Sequence, residues 1–286
     1  MRMSNGTEFI LTLACPDRRG IVAAVSGLIA ARDGNIVDSQ QFGDPDAGAF
    51  FMRVHFADES VASDDWRAAF APMADEMAWD WELHDVATRQ RLLILVSREG
   101  HCLNDLLFRW RTGGLPADIV GIGSPYDDFS GLAASYDLPW HHLPGPGAEA
   151  GALDQALIQL VEAERVDLVV LARFMQILGG QACRQLAGRA INIHHSFLPS
   201  FKGARPYRQA HERGVKLIGA TAHYVTEELD EGPIIEQEVA RVDHAHGIAS
   251  LARVGRDVEC VALARAVRWH LEHRVLPHGR RTVVFR

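Results

Sequence analysis

The sequence has few cysteines, and they lie far apart. There are four among 286 residues, Cys15, Cys102, Cys183 and Cys260, and none forms a Cys-x-x-Cys pair. A disulfide-stapled domain and a structural zinc site both need closely spaced cysteines, so the pattern argues against each. We therefore expect reduced thiols, as in cytosolic proteins.

The sequence also lacks an excess of basic charge and any long apolar run. The formal net charge is −8, so no global positive field would attract nucleic acid. No apolar stretch approaches the roughly 18 residues that a membrane-spanning helix needs. With 48% hydrophobic and 23% charged residues, the composition is typical of a globular protein. We predict a cytoplasmic protein that binds neither nucleic acid nor a membrane.

The first 86 residues alternate between short strands and helices. The predicted strands are residues 9–14, 36–42, 49–56 and 78–84, and the predicted helices are residues 21–32 and 63–76. Asp33, Gly34 and Asn35 provide a helix stop and a turn. The resulting βαββαβ order predicts a small ferredoxin-like domain.

After a polar connection at residues 87–91, continuous apolar segments alternate with helices. The predicted strands are residues 92–96, 117–123, 139–143, 166–172, 215–224, 233–239 and 281–285. One predicted helix follows the first of these strands and ends near residue 111, and the other main helices span residues 129–136, 149–164 and 248–271. Such runs are typical of a parallel sheet covered on both faces, with functional residues at the carboxyl ends of its strands. We predict an α/β protein with a ferredoxin-like domain at residues 1–86 and a Rossmann-like, mostly parallel domain at residues 91–286.

Three polar side chains of the second domain combine into a candidate catalytic set. Asn192 and His194 lie two residues apart, so on a strand both side chains point to the same face. Asp230 precedes a Gly-Pro turn, whose stiff backbone would hold it in place. The amide and the imidazole can stabilise an oxyanion, and the carboxylate can orient a water molecule. Asn-x-His alone is more often an ordinary strand end, and Asp230 shifts the balance towards catalysis.

Lys202 and Gly203 are expected to shape the loop after the strand.

The first domain resembles ACT domains, which sense small molecules in many metabolic enzymes. The resemblance rests on the turn at residues 16–22 and on the Gly-Asn-Ile sequence at residues 34–36. It implies a small amino-acid effector, with glycine or methionine as candidates, and edge-to-edge pairing into a homo-oligomer. A purely structural or oligomerising domain would fit the same residues equally well.

The second domain resembles formyltransferases that use 10-formyltetrahydrofolate. The resemblance rests on residues 192–199 and 223–237, and it spans most of residues 90–286. Members of that family use an Asn, a His and an Asp in catalysis. The matching positions in this sequence are Asn192, His194 and Asp230.

The same resemblance implies a folate-binding segment. Residues 172–178 look like the family's segment along the folate pocket, which would place Met175, Ile177 and Leu178 against the pterin ring. His223 and Thr226 are likewise assigned to substrate binding. From the residues alone, an apolar run of this kind is more often part of a core.

The loop after the first strand of the second domain narrows the choice within the family. Residues 97–103 contain one glycine and a carboxylate, a poor set for cradling the phosphate of a phosphorylated acceptor. The chain is also expected to be too short to include a tRNA-binding domain. An ACT-like unit ahead of a formyltransferase-like domain resembles the formyltetrahydrofolate deformylase family, which residues 98–106 and 269–271 also fit. Residues 123–127 depart from the family pattern, which has a Ser-Asn-His type of sequence there.

That resemblance implies a hydrolase acting on a linear amide C–N bond. Its substrate would be 10-formyltetrahydrofolate and its products tetrahydrofolate and formate. The formate would supply purine biosynthesis and balance the one-carbon pools. No cofactor beyond the folate substrate and no metal are expected.

Other functions would use some of the same residues. A formyltransferase with an amine acceptor, or a non-catalytic folate or amino-acid sensor, would share the fold, although a sensor has no need of Asp230. A metallohydrolase is disfavoured because no His-Glu-x-x-His spacing is present and because His194 and His195 should face opposite sides of a strand. Ser196 lacks a Gly-x-Ser-x-Gly elbow. Cys102 lies at a helix start, which can stabilise a thiolate, but a buried thiol is favoured.

Overall fold

The structure, a computed structural model, describes residues 7–58, 63–199 and 206–286, and these form two compact units. The first unit contains the described residues up to Arg89 together with His273–His278 and Val283–Arg286, and the second contains Gln90–Glu272 and Gly279–Thr282. The domain limits of 1–86 and 91–286 stay a prediction, because compact units are defined by packing and not by independent folding. Lys202 and Gly203, expected to shape a loop, lie outside the described residues.

Four antiparallel strands and two helices build the first unit. They are β1 (Thr7–Pro16), α1 (Ile21–Ala31), β2 (Asn35–Asp44), β3 (Ala49–Asp58), α2 (Ser63–Met77) and β4 (Asp80–Asp85). The strand order β2-β3-β1-β4 confirms the predicted ferredoxin-like arrangement. Along β1, Phe9, Leu11 and Leu13 point to one face, as the two-residue period of a strand requires. They share a buried core with Trp66 and Phe70 of α2.

A seven-stranded sheet forms the centre of the second unit. Its strands are β5 (Gln90–Leu95), β6 (Ala117–Ser124), β7 (Trp140–His142), β8 (Leu168–Leu171), β9 (Ala190–His194), β10 (Leu217–Tyr224) and β11 (Ile234–Arg241). The helices are α3 (His101–Arg111), α4 (Ser130–Ser135), α5 (Ala152–Ala163), α6 (Gly180–Gln185), α7 (Pro206–Glu212) and α8 (Ile248–Leu271). In the order β11-β10-β9-β8-β5-β6-β7, strands β5 to β9 run parallel, and β10 is antiparallel to both β9 and β11. The predicted α/β class and mostly parallel sheet are confirmed.

The centre of this sheet is apolar on both faces. Every residue of β8 is buried, and so are the last four residues of β5. Continuous apolar runs of this kind need helices on both sides, which is why they predicted a parallel sheet. Helices α6 and α7 were not predicted, because six or seven residues are too few to show an apolar period.

The last residues of the chain return to the first unit. Strands β12 (Val275–His278) and β13 (Arg281–Val284) form a separate two-stranded sheet. Leu276 and Phe285 are buried in an apolar cluster with Phe51 of β3. The predicted strand at residues 281–285 therefore exists, but its partner is the short strand β12. Strand β12 was not predicted, because it has only four residues and includes Pro277.

The composition predicted reduced thiols and no membrane-spanning helix. All four cysteines are free thiols, and Cys15, Cys102 and Cys183 are buried. Burial and a hydrogen bond with Cys260 raise the pKa of Cys102, the hydrogen bond contributing most, so this thiol is not activated as a nucleophile. Among the described residues, no helix is both long and apolar enough to cross a membrane.

Candidate active site

The loop after β8, the end of β9 and the turn after β10 enclose a pocket of about 570 Å³ in the second unit. Its lining includes every residue that the sequence singled out for catalysis or substrate binding: Met175, Ile177, Leu178, Asn192, His194, His223, Thr226 and Asp230. Helix α8 closes one side through Ala252, Arg256 and Glu259. The structure thus brings together groups that lie far apart along the chain.

Pairing between β9 and β10 fixes the orientation of Asn192. In this antiparallel pair Asn192 lies opposite His223, and on its other side β10 has a β-bulge against β11 between Ala222 and His223. Bulges re-aim side chains and are frequent beside active sites. The imidazole of His223 is buried, and its Nδ1–H donates to the carbonyl oxygen of Tyr224 at 2.9 Å. Its Nε2 lies 3.3 Å from Nδ2 of Asn192.

These contacts settle which atoms donate and which accept. Burial lowers the pKa of His223, although the hydrogen bond to Tyr224 and the charge of Asp230 oppose it, so the ring is neutral. With the proton on Nδ1, the Nε2 atom accepts one N–H of the Asn192 amide. No other described residue bonds to the second N–H or to the carbonyl oxygen of Asn192, so both can serve a ligand. Both ring nitrogens of His223 are used within the protein, so its contribution to binding would pass through Asn192.

His194 and Asp230 form the second half of the site. Nδ1 of His194 lies 3.2 Å from Oδ1 of Asp230, which orients the ring. Nε2 of His194 is buried and has no hydrogen-bond partner among the described residues. Buried polar atoms are nearly always paired, so an unpaired one facing a pocket marks a position for a ligand atom. His194 can therefore contact a substrate through Nε2 while Asp230 holds Nδ1.

The turn at Asp230 places its carboxylate beside the imidazole. Asp230 adopts a left-handed backbone conformation with φ 58°, which aspartate tolerates better than most residues. Gly232 follows, where a Cβ would lie 1.8 Å from the carbonyl oxygen of Tyr224, so no side chain fits. The hydrogen bond from His194 lowers the pKa of Asp230 against the opposing effect of burial. The carboxylate is thus ionised and can accept a proton.

An exposed apolar wall borders the polar end of the pocket. Met175 and Ile177 are 61% and 71% exposed, whereas Leu178, which also lines the pocket, is buried. Leu229 of the turn is also largely exposed. The loop is anchored by the backbone N–H of Met175, which donates to Oγ of Ser97 at 2.9 Å. Clustered apolar side chains open to solvent mark a surface for a flat apolar ligand.

A buried charged cluster at the base of the pocket was missed by the sequence reasoning. Nε of Arg173 lies 3.3 Å from Oε2 of Glu259, and its Nη2 lies 3.3 Å from Glu99. Glu259 also accepts hydrogen bonds from His101 at 2.7 Å and from the hydroxyl of Tyr207 at 2.5 Å. Burial alone would raise the pKa of Glu259, but the bonds from His101 and Tyr207 and the charge of Arg173 hold it below its usual value. One signal was present: Glu259 lies on the buried face of the long helix α8.

The expectation that His194 and His195 face opposite ways is wrong. Their rings lie nearly parallel, with centroids 5.1 Å apart, and both line the pocket. The period-two rule fails here because β9 ends at His194, and His195 already belongs to the following bend. His195 is therefore a pocket residue that the sequence rule had turned away from the site.

One group of residues has the composition of a metal site. Possible ligand atoms of His101, Cys102 and Glu259 all lie within 4.8 Å of one another. However, Nε2–H of His101 already donates to Glu259, and the guanidinium of Arg173 lies against the same carboxylate. A cation bound there would have to displace the hydrogen bond between His101 and Glu259, and it would lie beside the positive charge of Arg173. These residues fit a hydrogen-bonded ion pair better than a metal.

The segment at residues 123–127, whose sequence departs from the family pattern, lies away from the site. None of these residues is among the described residues that line the pocket. Oγ of the buried Ser124 accepts from the backbone N–H of Tyr126 at 3.1 Å, and the guanidinium of Arg98 lies 4.0 Å from the ring centroid of Tyr126. Residues of this segment thus make local contacts outside the pocket.

Comparisons with known proteins agree with this architecture. Residues 90–267 match the formyl transferase family, and residues 9–64 match the ACT domain family. A relative from Corynebacterium sp. (strain P-1), named formyltetrahydrofolate deformylase, is 48% identical over 286 residues, which are 99% of this chain and 100% of the relative. The crystal structure of a formyltetrahydrofolate deformylase from Pseudomonas syringae pv. tomato is similar with a TM-score of 0.95 and 49% identity, covering 98% of this chain and 95% of that one. A glycinamide ribonucleotide transformylase from Symbiobacterium toebii is similar over 69% of this chain and 95% of its own, with a TM-score of 0.65 and 34% identity.

Proposed function

Because this chain belongs to the formyltetrahydrofolate deformylase family, we propose that it hydrolyses 10-formyltetrahydrofolate to tetrahydrofolate and formate. One observation carries the proposal within the site itself. The unpaired Nε2 of His194, the open amide of Asn192 and the ionised carboxylate of Asp230 converge on one pocket with an exposed apolar wall. These are the groups that addition of water to a bound formyl carbon requires.

The proposed reaction begins with water attacking the formyl carbon. Asp230 orients the water and accepts its proton as the new C–O bond forms. Asn192 donates an N–H to the developing oxyanion, and His194 contributes a second hydrogen bond through Nε2. Preorganised donors of this kind each contribute about 100- to 1,000-fold to the rate.

The intermediate then breaks down by loss of the folate nitrogen. The C–N bond breaks, and the nitrogen takes up the proton that came from the water. Formate keeps one oxygen from the formyl group and gains one from water. No redox step is involved, and no cofactor is proposed beyond the folate itself.

The apolar wall would bind the pterin ring of the folate. Met175 and Ile177 offer exposed apolar surface, and the buried Leu178 lines the same pocket. Thr226 lies on the same pocket, with its hydroxyl donating to the carbonyl oxygen of Glu228 at 3.0 Å, so it would contribute through the shape of the turn. Flat heteroaromatic rings gain most of their affinity from such burial.

Charge at the base of the pocket favours water over a phosphorylated amine as acceptor. Helix α3 begins at His101, where a phosphate would gain from the helix N-terminus. That end of α3 instead faces two carboxylates, since His101 hydrogen-bonds to Glu259 and lies 4.0 Å from Glu99. Arg173 is already paired with both of them. A phosphate placed there would lie beside two carboxylates that repel it.

We further propose roles for the protein beyond the chemical step. The ACT-family unit would bind a small amino acid and pair copies of the chain into a homo-oligomer. The enzyme would act in the cytoplasm and supply formate to purine biosynthesis. Support for the first point is the match to ACT domains and an open cavity of about 530 Å³ between α1 and β2.

Product analysis tests the proposed hydrolysis. Incubation with 10-formyltetrahydrofolate should release formate and tetrahydrofolate in equal amounts, and addition of glycinamide ribonucleotide should leave the rate unchanged. Tetrahydrofolate formed only with the amine present, without formate, would assign the protein as a transferase. Binding of 10-formyltetrahydrofolate with formation of neither formate nor tetrahydrofolate would identify the protein as a non-catalytic sensor.

A further inference from the structure

Arg173 is held in an unusual conformation directly after β8. Its backbone φ is 63°, in the left-handed region that arginine seldom adopts. The side chain is only 8% exposed, and two carboxylates hold its guanidinium. Strained backbone and buried charge both cost free energy, and in combination they cluster at functional sites.

The same guanidinium also contacts His195. Nη1 of Arg173 makes a close hydrogen bond to Nδ1 of His195. An arginine is always a donor, so Nδ1 of His195 must accept, and the ring proton must lie on Nε2. No hydrogen bond among the described residues uses that Nε2. His195 therefore carries an N–H that no hydrogen bond among the described residues uses, on a ring that lines the pocket beside the ring of His194.

We propose that Arg173 is a positioning residue, which, clamped by Glu99 and Glu259, holds His195 as the neutral Nε2–H tautomer so that it donates a hydrogen bond to the reacting formyl group or its attacking water. This inference rests on the hydrolysis proposed above. It adds a donor to Asn192 and His194 at the same end of the pocket. The strain at Arg173 is then the cost of reaching both carboxylates and Nδ1 from one side chain.

The charges around His195 are consistent with a neutral ring. The groups that face it are Arg173, His194, Tyr207, Glu99, Glu259 and, more distantly, Asp230. Burial, then the charges of Arg173 and His194, lower the pKa of His195 to about 4, although both glutamates oppose them. Without Arg173 one of the charges that lower this pKa is lost and both glutamates remain, so the pKa of His195 should rise, although burial still opposes protonation.

The tautomer can be observed directly, without reference to activity. In protein labelled with ¹⁵N-histidine, long-range ¹H–¹⁵N spectra distinguish protonated from unprotonated ring nitrogens, and the signals missing in His195→Gln identify His195. We expect wild-type His195 to carry its proton on Nε2 and to stay neutral from roughly pH 5 to 8. In Arg173→Gln it should titrate or exchange tautomers within that range. A wild-type proton on Nδ1, or an unchanged spectrum in Arg173→Gln, would overturn the inference.

Kinetics with matched variants test the consequence for hydrolysis. Arg173→Gln leaves the buried Glu259 without the positive charge of Arg173, so Arg173→Gln/Glu259→Gln serves as a charge-balanced second variant. Both should lower kcat at least about tenfold while KM changes less than about threefold. Arg173→Lys should recover part of the loss, and Arg109→Gln, which removes an exposed ion pair on α3, should behave as wild type.

The pH profile separates positioning from a merely structural role. In Arg173→Gln, the fall of kcat on acidification should begin at a higher pH than in the wild type, because the pKa of His195 rises when the guanidinium is removed. The added substitution His195→Gln should remove that dependence. A folded Arg173→Gln variant with wild-type kcat, or with lower kcat but the wild-type pH profile, contradicts the proposal. If the wild type releases no formate, the proposed hydrolysis fails, and the tautomer spectra alone decide whether Arg173 positions His195.

Discussion

At the scale of single residues, the site depends on how each ring nitrogen is engaged. His223 donates through Nδ1 and accepts from Asn192 through Nε2, which orients the amide. His194 gives Nδ1 to Asp230 and leaves Nε2 for a ligand. Two histidines thus prepare the two donors of the proposed oxyanion site. The arrangement is preorganised, so little reorganisation would be needed as charge develops.

Asp230→Asn tests the proposed base with little change of shape. Asparagine can still accept the hydrogen bond from Nδ1 of His194, but it cannot take a proton from water. We expect kcat to fall by at least about 100-fold, with KM within about threefold, in steady-state formate release. Glu228→Gln is the matched control, since Glu228 belongs to the same turn, is exposed and does not line the pocket. A variant that keeps more than about a tenth of the wild-type kcat would refute this role for Asp230.

At the scale of elements, the turn between β10 and β11 is the part that brings Asp230 to β9. The backbone N–H of Tyr224 donates to the carbonyl oxygen of Pro233 at 2.9 Å, closing the turn at its base. Gly232 packs against Tyr224 so closely that a methyl group would overlap its carbonyl oxygen. A residue with no contact to the substrate therefore determines where the carboxylate lies.

Gly232→Ala should displace this turn. We expect a loss of about 1–3 kcal/mol in the free energy of unfolding from the overlap, and a fall in kcat of about 100-fold from the displaced Asp230. Chemical denaturation and formate release measure the two effects. Gly131→Ala on α4 is the control, because its added methyl group meets nothing within 4 Å. Full activity in Gly232→Ala would show that the turn does not position Asp230.

Helices and strands were predicted well from the sequence where the apolar pattern extended over enough residues to show its period. The apolar runs of β5 and β8 indicated buried parallel strands, and the spacing of Asn192 and His194 correctly put both side chains on one pocket. The same spacing rule misplaced His195, because extended geometry ends one residue earlier. Strand periodicity describes a residue only while the strand continues.

At the scale of the whole molecule, long-range contacts set the limit of what the sequence could predict. Arg173, Tyr207 and Glu259 come from a loop and two different helices, and no local pattern links them. The return of the C-terminal residues to the first unit is of the same kind, since Phe51 and Phe285 share a cluster across most of the chain. Such pairings depend on the tertiary fold, which a single sequence specifies but does not display.

The exposed edge strand β2 carries the prediction of self-association. It is ten residues long, has one neighbour, β3, and exposes Val37 and Phe42. Long apolar edges pair with other strands unless they are protected. We expect sedimentation velocity to show a dimer or larger oligomer, and Val37→Asp to dissociate it. Val239→Asp, at a similarly exposed valine on the edge strand β11, should not. A monomeric wild type, or dissociation only by Val239→Asp, would contradict edge pairing through β2.

The origin of the oxygen atoms in formate shows whether the formyl group is transferred to water. In ¹⁸O-enriched water, the wild type should convert 10-formyltetrahydrofolate into formate that carries one ¹⁸O atom per molecule, at the rate at which tetrahydrofolate appears. Asp230→Asn should form both products at least about 100-fold more slowly. Tetrahydrofolate without labelled formate, dependent on an added amine, would contradict the account.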